Sequence, residues 1–382
     1  VQIVPPFDAE IAAAIEAAPP ADEVPMNDDL IEAVDPREEY VACASALASG
    51  EASVREDLRI VLTAMHGVGA AITSRVLAEA GFSNVSLVAA QADPNPDFPT
   101  VPFPNPEEAG ALDMAMEQAR EEGADLIIAV DPDADRCALA VPDPTSETGW
   151  SPLSGDQIGS LLGEFLASRG MKGSFANSIV SSRLLSRIAH AHGLEHHTTL
   201  TGFKWIARAP GLGFGYEEAI GFCPDPGNVR DKDGIATSVV AASLVAALKA
   251  QGRSVWDELE RLARLHGLHV SSPLTFRVEE IEQIANGMAR LRAQPPSVLA
   301  GSPVVEVSDL SQGYRGLPPT DGVLVLTEAG DRVIARPSGT EPKLKCYLEV
   351  ILPVAEGEPL PWAQARERLN AIKGAFAEII GL

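Results

Sequence analysis

Three aspartates alternate with other residues directly after an apolar stretch in the first half of the chain. Asp131, Asp133 and Asp135 follow residues 126–130, which have the composition of a buried strand. The carboxyl ends of such strands are where α/β sheets usually bind ligands. Charged oxygen ligands suit a hard divalent cation such as Mg²⁺, which would offset the charge of a bound phosphate. The pattern therefore indicates metal-assisted phosphoryl chemistry.

The same acidic segment has other interpretations. It could be a turn whose aspartates cap a helix. A calcium loop of the EF-hand kind is excluded, because Arg136 stands where glycine is needed and Pro142 where a bidentate glutamate is needed. A phosphatase with Asp131 as its nucleophile would also begin D-x-D after a strand, although Asp135 and Arg136 fit that scheme poorly.

A second candidate site lies between two predicted strands near the end of the chain. Arg336 and Lys343 supply cations there, Ser338 and Thr340 supply hydroxyls, and Gly339 lets backbone amides approach a ligand closely. A plain hairpin turn would hardly need two cations and two prolines. This combination is typical of a phosphate-binding loop.

Three further loops carry weaker signals. Glu217 lies between glycines after a predicted strand, where its carboxylate could accept hydrogen bonds from sugar hydroxyls. Gly202 and Lys204 lie on one turn before a helix, and Arg230 and Lys232 lie on another. Helix N-termini favour anions. Taken singly, each of these turns is also compatible with a solvated loop.

The charge balance makes the placement of cations informative. The formal net charge is −25, which repels nucleic acid and anionic membranes, and would repel a sugar phosphate unless the site carried local positive charge. There are only seven lysines, and four of them fall inside the candidate loops: Lys204, Lys232, Lys343 and Lys345. We therefore expect a small anionic substrate, and neither a nucleic-acid nor a membrane partner.

Composition bounds the class of protein. The chain has 382 residues, of which 46% are hydrophobic and 5% aromatic, as expected for a soluble α/β protein of two or three domains. No apolar run approaches the roughly 18 residues that span a bilayer, and we expect no signal peptide. Its four cysteines form no C-x-x-C pair, so neither a zinc site nor a disulfide framework is indicated. These features favour a cytoplasmic protein, monomeric or homodimeric.

The order of predicted elements divides the chain. The predicted fold class is α/β, with two consecutive mixed α/β/α domains followed by a smaller α+β domain with an antiparallel sheet. Within this scheme we predict helices at residues 107–121, 155–168, 234–251 and 281–292, among others, and a strand at 274–278. The expected divisions are residues 1–36 as a helix and linker, 37–150 with the metal loop, 151–270 with the sugar loop, and 271–382 with the phosphate loop.

Together these segments resemble the α-D-phosphohexomutase superfamily, which includes phosphoglucomutases, phosphomannomutases and a phosphopentomutase-like branch. Residues 131–136 look like the family's metal loop, residues 215–221 like its sugar-recognition loop, and residues 336–343 like its phosphate-binding loop. The three occur in the family's order. The resemblance implies an isomerase that transfers a phosphoryl group within a hexose phosphate, through a phosphoserine and a bisphosphorylated sugar.

The resemblance also implies roles for individual residues. One Mg²⁺ per chain would be held by Asp131, Asp133 and Asp135, with Arg136 and Lys232 supporting the chemistry. The sugar would be bound by Gly202, Lys204 and Glu217. The phosphate that does not react would be held by a larger group: Arg230, Arg336, Ser338, Gly339, Thr340 and Lys343.

The chain departs from the family pattern in two places. The sugar loop commonly has serine two residues after the glutamate, and here that position is Ala219, as in the phosphopentomutase-like branch. The family nucleophile lies in a T-x-S-H-N-P-like loop of an N-terminal domain, and the 382 residues contain no such segment. Residues 1–18 look like the end of that domain. We therefore expect this chain alone to bind sugar phosphate without isomerising it. A Mg²⁺-dependent phosphatase and a non-catalytic sugar-phosphate binding protein remain the alternatives.

Overall fold

The structure is a computed structural model that describes residues 2–338 and 342–381. The α-helices are α1 (Phe7–Ala17), α2 (Arg37–Ser45), α3 (Ala52–Glu56), α4 (Ala70–Glu79), α5 (Asp113–Glu122), α6 (Gly155–Ser168), α7 (Leu184–Ala191), α8 (Phe203–Ile206), α9 (Gly234–Ala250), α10 (Val255–His266), α11 (Ile281–Ala293) and α12 (Trp362–Ile380). The strands are β1 (Arg59–Thr63), β2 (Asn84–Leu87), β3 (Leu126–Val130), β4 (Cys137–Pro142), β5 (Trp150–Pro152), β6 (Ser174–Ser178), β7 (His196–Thr199), β8 (Leu212–Glu217), β9 (Gly221–Cys223), β10 (Leu268–Arg277), β11 (Val298–Leu299), β12 (Ser302–Asp309), β13 (Val323–Thr327), β14 (Arg332–Pro337) and β15 (Lys343–Leu352).

The first two sheets share one topology. The first has the strand order β2-β1-β3-β4-β5, and β1 is parallel to both β2 and β3 whereas β4 is antiparallel to β3. The second has the order β7-β6-β8-β9, again with two parallel pairs followed by one antiparallel pair. In both units a short loop joins the last parallel strand to its antiparallel neighbour. These two loops contain the acidic residues of the metal loop and of the sugar loop.

Helix α9 joins the two units into one hydrophobic core. It contacts β3 and β4 of the first sheet and β9 of the second, and nearly all of its residues are buried. Because α9 is apolar on every side, it is suited to lie between layers rather than at the surface. The core cluster accordingly runs without a break from Val41 in α2 to Leu262 in α10.

The C-terminal unit is a six-stranded antiparallel sheet covered by two helices. Its strand order is β10-β15-β14-β13-β12-β11, and α11 and α12 pack against it and against each other. Ile372 and Phe376 of α12 are fully buried, as are Val333 and Leu348 of the sheet, and they form a separate core. Alternating buried and exposed residues along β12 and β15 show one face packed and one face solvated.

The second α/β unit and the C-terminal unit meet at a partly polar interface. Ile179 and Val180 pack against Leu324 and Ile334 in a small cluster of their own. Around that cluster, Arg332 donates to three successive carbonyl groups of the β6–α7 turn. Apolar contact and charge-assisted hydrogen bonds therefore fix the C-terminal domain to this turn.

The predicted fold class is confirmed, with mixed α/β sheets first and an antiparallel sheet last. Individual elements differ from the predictions. The helix predicted at residues 107–121 begins only at Asp113, because Gly110 has φ +81° and the segment before it forms turns. The strand predicted at 274–278 is ten residues long, since all of residues 268–277 pairs with β15.

Among the described residues no single helix is long and apolar enough to cross a membrane. Helices α9 and α10 pass that test only as a pair, bent by 92° at the break between them.

Candidate functional site

The metal loop is a tight turn between β3 and β4 that brings three carboxylates together. One oxygen from each of Asp131, Asp133 and Asp135 lies within 4.8 Å of the others. Asp131 is buried, and it accepts two hydrogen bonds from Arg136, one from the backbone N–H at 3.0 Å and one from Nε at 2.6 Å. Ala134 takes the left-handed conformation with φ +60°, which lets the chain turn within so few residues.

Two glycines on neighbouring elements hold this loop in place. A Cβ at Gly67, just after β1, would overlap the backbone of Pro132. A Cβ at Gly234, the first residue of α9, would overlap the carbonyl oxygens of Ala134 and Arg136. Both are therefore needed for close backbone approach, and the N–H of Val68 donates to the Pro132 carbonyl at 2.8 Å.

The charge of the loop favours a bound cation. Burial raises the pKa of Asp131 above its usual range, although Arg136 opposes this effect. Lys232 Nζ lies 2.9 Å from Asp135 Oδ2, so Arg136 and Lys232 supply two positive charges against three negative ones. The three carboxylates offer only oxygen donors and carry one surplus negative charge, which suits a hard divalent cation. If no cation were bound, the same charge would repel a phosphate.

The sugar loop occupies the equivalent position in the second unit. Glu218 Oε2 accepts hydrogen bonds from Ser178 Oγ at 3.0 Å and from Ser181 Oγ at 2.8 Å. Ser178 is the last residue of β6, and Ser181 lies in the β6–α7 turn. Gly155, at the start of α6, lies so close to the Glu218 carbonyl that a Cβ there would overlap it. The loop is thus fixed from two sides, and Ile220 has φ +55°.

The other acid of this pair, Glu217, has a shifted pKa. Burial, followed by the neighbouring charge of Glu218, raises the pKa of Glu217 to about 7, while the charge of Lys232 opposes the shift. Lys232 also lies 5.7 Å from the centroid of the Phe203 ring, next to Gly202. Lys232 therefore connects the metal loop with both the Glu217 loop and the Gly202 turn.

The described part of the phosphate loop lies beside a half-buried tyrosine, Tyr347. Arg336 forms a side-chain hydrogen bond with Tyr347, whose pKa is raised first by burial and then by the charges of Glu218 and Glu217. The Ser338 N–H donates to the Lys343 carbonyl at 2.8 Å. Gly339 and Thr340 lie outside the described residues. The guanidinium of this loop and the acids of the sugar loop are therefore electrostatic neighbours.

A large cleft of about 810 Å³ brings parts of all three units together. From the sugar loop it is bordered by Glu218 and Ala219, and from the phosphate loop by Lys343. Asn105 borders it from the first unit, and its Oδ1 accepts a hydrogen bond from Arg136 Nη1 of the metal loop at 3.4 Å. The sugar loop and the phosphate loop therefore border one cavity, and the metal loop is hydrogen-bonded to its wall through Asn105.

Other predicted residues do not border this cleft. Gly202 precedes α8 with φ +108°, and Lys204 lies 5.9 Å from the Trp205 ring centroid. Arg230 is exposed. Asp131 is connected to the cleft wall through Arg136, which donates to Asn105. The assignment of these residues to sugar, phosphate or metal stays a prediction.

The cleft also contains residues that the sequence reasoning missed. They come from the loop before α5, from β10 and from β15: Phe103, Asn105, Glu107, Ser271, Thr275, Arg277 and Tyr347. Lys345, which the scarcity of lysine had singled out in the sequence, also borders the cleft. The missed residues are brought to the cleft by tertiary packing and carry no local motif.

Comparison with known proteins assigns the chain to a protein family. Three family models match in order: the alpha/beta/alpha domain II of phosphoglucomutase/phosphomannomutase at residues 38–145, alpha/beta/alpha domain III at residues 154–265, and the C-terminal domain at residues 275–360. The chain belongs to the phosphoglucomutase/phosphomannomutase family. The resemblance to the α-D-phosphohexomutase superfamily is thereby confirmed.

Individual relatives agree with this assignment. The chain is 43% identical over 356 residues to a Haemophilus influenzae protein named "Probable phosphomannomutase", covering 91% of this chain and 71% of that protein. It is 36% identical to a phosphoglucomutase of Staphylococcus haemolyticus, covering 78% of this chain and 58% of that protein. The open form of pp63/parafusin, a phosphoglucomutase from Paramecium, has the same fold with a TM-score of 0.68, 19% identity, and coverage of 92% of this chain and 64% of the other. The relatives are named as mutases, an isomerase class of enzyme.

Proposed function

We propose that this chain is the metal-, sugar- and phosphate-binding part of a phosphohexomutase that interconverts hexose 1-phosphate and hexose 6-phosphate. The observation that carries the proposal is the shared cleft, bordered by Glu218 of the sugar loop, Lys343 of the phosphate loop and Asn105 beside the metal loop. A hexose phosphate has hydroxyl groups on its ring and a dianionic phosphate at one end. A cleft that binds it therefore needs hydrogen-bonding groups on one wall and cations on the opposite wall.

The metal loop would neutralise the phosphoryl group being transferred. Asp131, Asp133 and Asp135 are the residues that would hold Mg²⁺, and the bound ion would supply charge neutralisation for the reacting phosphate. Arg136 fixes Asp131 through two hydrogen bonds, and Lys232 forms an ion pair with Asp135. These two cations limit the mutual repulsion of the three carboxylates.

The other loops would position the two ends of the sugar phosphate. Glu217 would accept hydrogen bonds from sugar hydroxyls, with Gly202 and Lys204 on the neighbouring turn. Arg336, Ser338 and Lys343 would hold the phosphate that is not reacting, together with Gly339, Thr340 and Arg230. Arg336 suits this role because a guanidinium binds two phosphate oxygens at once.

Transfer also requires a nucleophile that accepts and returns the phosphoryl group. In the family pattern this is a phosphoserine in a T-x-S-H-N-P-like loop, and the 382 residues contain no such segment. A bisphosphorylated sugar would form when that serine gives up its phosphoryl group and would be consumed when it regains one. We infer that the 382-residue chain by itself binds sugar phosphate without turnover.

Two assays on the purified chain test the proposal. With Mg²⁺ present, isothermal titration should show binding of glucose 1,6-bisphosphate, and Asp131→Asn should weaken it by on the order of tenfold or more. A glucose 1-phosphate assay coupled to a dehydrogenase should show no turnover. Lack of binding would overturn the assignment of the cleft, and turnover at ordinary mutase rates would overturn only the claim of inactivity.

The phosphatase alternative makes a different prediction for Asp131. As a nucleophile, Asp131 would need a carboxylate oxygen directed at phosphorus, but both of its oxygens accept hydrogen bonds from Arg136. The approach of oxygens from Asp133 and Asp135 to within 4.8 Å of Asp131 favours a role as a metal ligand. Detection of an aspartyl phosphate on this chain, and its loss in Asp131→Asn, would support the phosphatase instead.

We also propose a cytoplasmic location. The chain has four cysteines, and all of them are free thiols, which suits a reducing compartment. Localisation of a tagged chain by cell fractionation would check this.

A further inference from the structure

A second, cationic cavity of about 310 Å³ lies where the second α/β unit meets the C-terminal domain. It shares none of its bordering residues with the large cleft. Arg183 and Arg187 border it from the start of α7, and Arg332 borders it from β14. The rest of its described wall is mostly uncharged and polar: Asn177, Ser178, Ser181, Ser186, His196, Thr198 and Ile351. None of the described bordering residues is a carboxylate.

The positive charge at this cavity is only partly compensated. Among the described residues, Glu349 is the one carboxylate within ion-pair distance of the two inner guanidiniums, 2.6 Å from Arg183 Nε and 3.4 Å from Arg332 Nη2. The Arg187 side chain makes no ion pair or hydrogen bond with any residue in the described part of the chain. Three guanidiniums thus face one carboxylate, in a protein whose net charge is −25.

Arg332 is a buried cation with an unused donor. Its side chain is 8% exposed, and its two terminal nitrogens donate to the carbonyls of Ile179, Val180 and Ser181. Its Nε is buried and has no hydrogen-bond partner among the described residues. Burial lowers the pKa of this guanidinium, although the charge of Glu349 opposes the change. A buried, incompletely neutralised donor beside a polar cavity is a place where an anion or an ordered water is expected.

The wall of the cavity suits an oxyanion better than water alone. Guanidinium groups bind phosphate and sulfate oxygens in pairs, and Ser186 adds a hydroxyl from the same turn of α7 as Arg187. Ser178 and Ser181 already donate to Glu218 on the other side of their turn, so their hydroxyls offer lone pairs rather than protons to this cavity. The arginines would therefore provide the main contacts.

We propose that this cavity is a second anion site, distinct from the cleft, which binds inorganic phosphate or the phosphate group of a small phosphorylated metabolite. The anion supplies the missing negative charge between Arg183, Arg187 and Arg332. Because these residues come from two domains, the bound anion links the second α/β unit to the C-terminal sheet. Its binding therefore stabilises their relative position.

Phosphate binding to the full chain tests this proposal. The Arg336→Gln variant weakens the phosphate site of the cleft, and Arg187→Gln is then added to it. Arg187 and Arg120 are both exposed, so neither Arg187→Gln nor the matched control Arg120→Gln should prevent folding. Isothermal titration with inorganic phosphate measures affinity, and the anomalous signal of tungstate in crystals locates the anion.

The Arg336→Gln chain should still bind one phosphate, and adding Arg187→Gln should weaken that binding by about tenfold, as expected for loss of one charge-assisted contact. Adding Arg120→Gln should leave it unchanged, and tungstate should lie beside Arg332. Binding that Arg187→Gln does not alter, or tungstate found only in the cleft, would overturn the proposal. Free phosphate and a metabolite are distinguished by whether glucose 6-phosphate competes. Turnover plays no part, so the outcome is independent of the proposed mutase activity.

Discussion

The first two α/β units place different chemistry at the same point of the same topology. In each, the acidic loop joins the last parallel strand to an antiparallel neighbour. The loop of the first unit has three aspartates that Arg136 and Lys232 partly neutralise. The loop of the second has two glutamates, of which Glu218 is held by Ser178 and Ser181 rather than by a cation.

The difference shows how neighbouring groups decide what a carboxylate can bind. In the first loop, three charged oxygens meet within 4.8 Å, a spacing that a divalent ion can bridge. In the second, desolvation raises the pKa of Glu217 to about 7, which suits exchange of hydrogen bonds with neutral hydroxyls. The shared sheet topology therefore sets where each acidic loop lies, and the residues of the loop determine which kind of ligand it suits.

The largest effects should come from the glycines that hold the two loops. Gly67→Ala should displace the metal loop, and Gly155→Ala should displace the sugar loop, because each new Cβ would overlap backbone. Each should lower the free energy of unfolding by about 1–3 kcal/mol, as overpacking does. Gly67→Ala should abolish Mn²⁺ binding and Gly155→Ala should spare it. Calorimetry with Mn²⁺ and thermal unfolding would measure both.

A helix glycine without neighbours provides the matched control for this pair. A Cβ added at Gly374, in α12, would meet no other atom within 4 Å, so Gly374→Ala should leave both loops intact and raise stability by up to about 1 kcal/mol. If Gly67→Ala and Gly155→Ala weakened Mn²⁺ binding equally, the two loops would not be independent sites.

A smaller effect should follow the ionisation of Glu217. Its pKa in the folded chain, about 7, lies above the usual 4.5, so the folded state binds more protons between these values. Stability should therefore fall as pH rises from about 4.5 to about 7, by on the order of 3 kcal/mol, and then level off. Denaturant unfolding across this range would show it, and Glu217→Gln should remove this component whereas Glu195→Gln, at an exposed side chain, should not. If the stability of the Glu217→Gln chain fell with rising pH as steeply as that of the wild type, the raised pKa of Glu217 would be contradicted.

The smallest effect should come from Lys232. Its ammonium lies 2.9 Å from Asp135, so it competes with a cation for that carboxylate. Lys232→Gln should tighten Mn²⁺ binding by about fivefold, corresponding to ~1 kcal/mol of repulsion removed under water-like screening. Lys204→Gln, next to Trp205, is the control and should change nothing. Weaker Mn²⁺ binding by Lys232→Gln would instead mean that the lysine positions Asp135.

The sequence predicted elements best where local and tertiary signals agree. Helix α6 has the predicted bounds, because Ser154 and Gln157 form a capping box ahead of an apolar face. Strand β10 was predicted too short, since the missed residues 268–273 include two serines and Pro273, and only pairing with β15 makes them part of a strand. That pairing is a tertiary preference that no local pattern contains.

The candidate site divides in the same way. The aspartates 131, 133 and 135 were predicted to lie together because they are close in sequence, and they do. The contact of Ser178 with Glu218 spans 40 residues, and Asn105 reaches Arg136 across a loop, so neither could be read from spacing. Local motifs singled out the three candidate loops, whereas the side chains that orient these loops are brought to them by the fold.

The hydrogen bonds from Arg332 to the β6–α7 turn constrain how the C-terminal domain can move. That guanidinium belongs to the C-terminal sheet, and it holds the carbonyls on either side of Val180, between the two hydroxyls that orient Glu218. If the C-terminal sheet swings, it must either drag this turn along or break three charge-assisted bonds. The loops that we propose to bind phosphate and sugar therefore belong to walls joined through Arg332, so any change in the shape of the cleft would have to move both walls together.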